Sequence, residues 1–74
     1  MTRYYYAAES TMGLSFTYDS PCWLVLAFTS KKARDDHRKA HPDTVEEVDV
    51  KTAMKIAPEL RTKTPDNAWR VSVV

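Results

Sequence analysis

Six consecutive apolar residues, Trp23 to Phe28 (WLVLAF), stand between a proline turn and a densely charged stretch. A strand that is apolar at every position has to be covered on both faces, so this run predicts a central strand of a sheet. Thr29-Ser30 follows at once, and then KKARDDHRK, Lys31 to Lys39. Thr29 or Ser30 supplies the side-chain oxygen that caps a helix start. His41-Pro42 ends the helix, because the residue before proline disfavours helical backbone. A central strand needs neighbours on both sides, and the flanking segments have to provide them.

On the N-terminal side, Arg3 to Ala8 (RYYYAA) has high strand propensity. Leu14 to Tyr18 alternates cleanly, with Leu14, Phe16 and Tyr18 on one face and Ser15 and Thr17 on the other. The turn at 9–13 holds Gly13, the chain's one glycine, which is placed where φ has to be positive. Asp19-Ser20-Pro21 is a second turn. On the C-terminal side, Val45 to Val50 reads as an acidic strand and Lys51 to Ala57 as a short helix offering Ala53, Met54, Ile56 and Ala57. Trp69 to Val74 reads as a closing strand with Trp69, Val71 and Val73 inward. The predicted fold is α+β, a small twisted, mainly antiparallel sheet in the order β-β-β-α-β-α-β. Both short helices are expected on one face.

At 74 residues the chain is expected to form one domain, 1–74. A domain near this size buries only about 60% of its unfolded surface, so its stability is thin. Cys22 is the lone cysteine, so no intrachain disulfide staples it. Met1-Thr2-Arg3 leads into tyrosines rather than into an apolar signal core. The apolar run is also far shorter than the roughly 20 residues that span a bilayer. These features predict a soluble cytoplasmic protein without membrane contact.

Net charge is only +1, yet the charge is segregated. Lys31, Lys32, Arg34, Arg38 and Lys39 face two acids, Asp35 and Asp36, in one segment. Asp43, Glu46, Glu47 and Asp49 stand without a base in the next. Segregated charge on a near-neutral chain favours an oriented contact. The candidate contact residues are therefore Lys31, Lys32, Arg34 and Arg38 on the basic helix, or Glu46, Glu47 and Asp49 on the acidic strand. Self-association follows the same logic, with the acidic strand of one copy against the basic helix of another.

Reaction chemistry finds little to work with. His37 and His41 share one helical face at i,i+4, but HRKAH lacks the glutamate of the zinc-hydrolase motif HExxH and no third ligand has a diagnostic spacing. Cys22 leads into a buried strand, where a thiol behaves as a small hydrophobe. One glycine excludes a glycine-rich phosphate loop. No catalytic residue, metal or cofactor is expected. Nucleic-acid binding remains as an alternative, with Tyr4, Tyr5 and Tyr6 stacking bases and the basic helix meeting phosphates.

The step FTSKKARD (Phe28 to Asp35), followed by VDVKTA, resembles small accessory proteins of bacteriophages and mobile elements, anti-CRISPR inhibitors among them. There an apolar strand ends in phenylalanine, a Ser or Thr caps a helix, and an Arg-Asp pair lies one turn in. The likeness covers about the middle half of the chain and carries over no residue roles. It implies a non-enzymatic inhibitor, acting in the cytoplasm of a bacterial host. Such an inhibitor works by occupying the surface of a host protein complex such as a CRISPR effector.

Overall fold

The computed structural model describes residues 3–74. Its sheet has four strands: β1 (Tyr5–Ser10), β2 (Trp23–Phe28), β3 (Val45–Val48) and β4 (Val71–Val73). Helix α1 (Lys31–Ala40) lies between β2 and β3, and α2 (Val50–Ile56) follows β3. Two 3-10 turns, Pro58–Arg61 and Pro65–Asn67, lead to β4. The spatial order is β3-β1-β2-β4. β1 pairs antiparallel with both β2 and β3, and β4 joins β2 in parallel. The α+β class, the mainly antiparallel sheet and the interior place of the apolar hexapeptide are as the sequence implies. No helix among the described residues is long and apolar enough to cross a membrane.

Several expectations are corrected. Residues 14–18 form no strand. β1 pairs with β2 along its whole length and gives its other edge to β3, so no ladder is left for a third N-terminal strand. The connection instead folds through turns. The Ser20 N–H donates to the Thr17 carbonyl at 3.0 Å, and the Thr11 N–H to the Cys22 carbonyl at 3.1 Å. Gly13 takes φ +100°, which glycine accepts without cost to a Cβ. Leu14 and Tyr18 pack against the core while Phe16 stays exposed.

The helices also do not share a face. Register places Tyr5, Ala7, Leu26, Phe28, Val45 and Glu47 on one side of the sheet. There α1 docks, with His37 beside the Phe28 ring at 5.5 Å between centroids. Ala8, Val25 and Val48 lie on the other side and pack with Ala53, Ile56 and Ala57 of α2. Residues of both signs of the alternation are therefore buried, which is why β2 is apolar throughout. Full burial of Val25 and Phe28 contributes about 1.5–3 kcal/mol each.

Local signals set the helix starts. The Ser30 Oγ accepts the Ala33 N–H at 3.0 Å, and Asp49 Oδ1 accepts the Thr52 N–H at 2.8 Å. Asp49 therefore ends β3 and caps α2 rather than belonging to the strand. That hydrogen bond holds its carboxyl below the ordinary aspartate range.

Candidate functional site

The seven charged residues singled out from the sequence are divided by the structure into different roles. Arg34 is only 7% exposed. Its Nη2 lies 3.2 Å from Asp35 Oδ1 and 3.2 Å from Glu47 Oε1, and its guanidinium sits over the Tyr5 ring. It is a strut between α1 and β3, so the basic helix and the acidic strand engage each other inside one molecule. No Lys–Asp ion pair forms along α1 among the described residues, where Asp35 pairs with Arg34. Lys31 and Lys32 stand exposed in the first turn of α1. Asp49 is taken up by capping.

Arg38, Glu46 and Glu47 do converge. With Lys39 they line a groove of about 570 Å³ beside the outer edge of β3. The groove carries both signs of charge, and the Tyr18 hydroxyl donates to Glu46 from above. Burial, the Glu46 hydrogen bond and the charges of Glu46 and Asp49 push the Tyr18 phenol up to about 12. His37 and His41 are neighbours, 4.7 Å between ring centroids, and no third ligand joins them among the described residues. Cys22 accepts a hydrogen bond from the Ser10 hydroxyl at 3.4 Å and packs on the α2 side of the sheet, opposite the histidines.

The opposite edge is different in kind. β4 has three residues, Val71–Val73, and pairs only with β2. The Arg70 carbonyl accepts from the Val25 N–H at 3.1 Å, and the Val74 N–H donates to the Ala27 carbonyl at 2.9 Å. By the alternation of a parallel ladder, the N–H and C=O of Val73 point outward, away from the sheet. Val73, Val74, Leu24 and Trp69 are all exposed there, Trp69 to 73%. Expected inward, Trp69 instead lies outside, because β4 begins only at Val71 and the preceding turn carries the indole past the core.

Trp69 and Leu24 flank a cavity of about 450 Å³ whose lining includes Trp23, Tyr18, Lys55 and Arg70. Arg70 stacks on Trp69 at 4.5 Å from the ring centroid and donates to the Ile56 carbonyl at 3.2 Å. Its backbone N–H reaches Glu59 at 3.1 Å, which fixes the turn into β4. Trp23, 3% exposed, meets Tyr18 edge-on at 4.9 Å, and its indole N–H has no acceptor among the described residues. Comparison with protein-family models, with curated proteins and with solved structures finds no match.

Proposed function

We propose that the chain is a non-enzymatic binding protein that acts by occupying a surface of a partner protein complex, with the β4 edge as its contact. One observation carries the reading: an open strand edge, exposed at Val73 with Val74 and Trp69 beside it, has no charged side chain within β4 itself, the device that often keeps such an edge solitary. An exposed tryptophan braced by a cation is also the residue type that dominates binding energy in interfaces. The resemblance to phage-type inhibitors, anti-CRISPR proteins included, supplies the biological frame. A host complex such as a CRISPR effector in the bacterial cytoplasm is blocked stoichiometrically, without cofactor or turnover.

The nucleic-acid alternative draws less support from the geometry. Tyr5 lies beneath Arg34 and Arg3, and Tyr6 packs against the core, so neither offers an open face for stacking. Arg38 and Lys39 share their groove with Glu46 and Glu47, which leaves Lys31 and Lys32, and a pair of lysines gives only weak, salt-sensitive phosphate contact.

The test is an affinity pull-down from bacterial lysate with mass spectrometry, run with and without nuclease. The bait is the native chain, a Trp69→Ala/Val73→Lys variant, or a Lys31→Glu/Lys32→Glu variant. The expected outcome is a nuclease-resistant protein partner that the edge variant loses and the helix variant keeps. Loss with the helix variant, or with nuclease, contradicts the proposal. A second readout is whether expression of the chain restores plaquing of a phage targeted by the host's CRISPR system.

A further inference from the structure

We infer that the cavity beside β4 receives an acidic, extended peptide segment of the partner, added to β4 as a fifth strand with a carboxylate held between Lys55 and Arg70. The inference rests on the β4 edge being the contact and names what that contact reads. Strand addition at Val73 pairs its outward N–H and C=O with the incoming backbone. Alternate side chains of that strand then fall toward the cavity flanked by Trp69 and Leu24.

The charge of the cavity selects among such strands. Neither Lys55 nor the Arg70 guanidinium forms an ion pair with a carboxylate among the described residues. Arg70 uses one donor on the Ile56 carbonyl and keeps others of its five free. Its stacking on Trp69 holds the fork in place, which reduces the ordering cost of binding a carboxylate. Asp19, the one acid of the lining, is engaged by the Thr17 hydroxyl. Trp23 adds apolar surface to the lining. An apolar wall and two cations match a segment in which acidic and aliphatic residues alternate.

Two-dimensional NMR of the isotope-labelled full chain tests this, because two tryptophans give two separate indole N–H signals. Trp69→Phe assigns them. The probes are a short synthetic peptide of alternating glutamate and valine, the same peptide with lysine for glutamate, and an oligothymidylate of equal length. The expected result is that only the glutamate peptide moves the Trp69 indole and the Val73 amide. Lys55→Glu, at an exposed site that leaves folding intact, weakens that binding at least tenfold, and so does Arg70→Glu. Equal shifts with both peptides overturn the acidic selectivity while leaving the edge itself as a contact. Shifts with oligothymidylate alone overturn the peptide as occupant. If no probe moves Trp69, the inference fails, and the pull-down with the Val73 variant reports separately on the edge.

Discussion

The two edges of the sheet solve the same problem in opposite ways. Any edge strand presents unpaired backbone groups that invite another chain. β3 answers with charge: Glu46 and Glu47 project from its two faces, Arg34 is tied to Glu47, and Arg38 and Lys39 stand alongside. A strand approaching there has to desolvate a salt-bridged array, which costs more than the pairing returns. β4 has no such array. It offers valines, a neighbouring tryptophan and a stacked arginine. Arg34, Asp35, Glu46, Glu47 and Asp49, part of the charge that makes β3 and α1 conspicuous in the sequence, are engaged inside the molecule, and the quieter C-terminal segment carries the exposed apolar side chains.

The largest expected effect breaks the comparison at β4. Trp69→Ala with Val73→Lys is expected to cost about 3 kcal/mol or more in partner affinity, roughly a hundredfold, as for an interface anchor. The same pair of changes shifts unfolding by under about 0.5 kcal/mol, since both side chains are exposed. Calorimetric titration and thermal melts measure the two quantities. Lys39→Glu, beside β3 and outside the β4 cavity, leaves partner affinity unchanged in the same titration.

Next comes the strut at β3. Arg34→Ala removes a buried guanidinium and its packing on Tyr5. Because Glu47 is half exposed and is resolvated, the loss is about 2 kcal/mol rather than the larger penalty of a sealed pair. For a domain of this size that lowers the melting temperature by about 8–16 °C. Arg34→Met, which keeps the stem, loses less. A chain that melts unchanged without Arg34 shows that the strut holds nothing together.

Tyr18 sharpens the comparison, because it touches both regions: its ring lines the β4 cavity and its hydroxyl holds Glu46 of β3. Its folded pKa, about 12, lies above the ordinary value of 10.0. The neutral phenol is thus favoured by folding, and its contribution is complete below pH 10 and lost as pH rises toward 12. Tyr6, raised by burial and by Tyr4, contributes with the same sign. Melts between pH 9 and 12 are expected to fall more steeply for the native chain than for Tyr18→Phe. Parallel curves refute the linkage.

The smallest effect is at Lys31 and Lys32. Replacing both by glutamate complements the positive end of the α1 dipole and raises stability by about 0.3 kcal/mol each, with partner affinity unchanged. Reduced affinity moves the contact to the helix.

Local signals carried most of the fold. The apolar hexapeptide, the Ser30 cap, the His41-Pro42 stop and Gly13 were each legible because their causes lie within a few residues. The strand read at 14–18 was not excluded by its own pattern, since Leu14-Ser15-Phe16-Thr17-Tyr18 alternates as a strand does. It was excluded by β3, which claims the free edge of β1 from a distant part of the chain. Arg34 was hidden for the same reason, as nothing in KKARDDHRK distinguishes the arginine that reaches Glu47 from its exposed neighbours. Trp69 was misplaced because WRVSVV alternates from its first residue while pairing starts only at the third. One signal pointed the right way. A proline-bearing turn immediately before a short strand leaves little ladder to bury an indole.

The central claim is that partners meet β4 and avoid β3. Hydrogen–deuterium exchange on the complex recovered by pull-down tests it most directly. The predicted result is slowed exchange confined to residues 69–74 and the adjoining start of β2, with 31–48 exchanging as in the free chain. Protection along α1 and β3 with none at Val73 contradicts it.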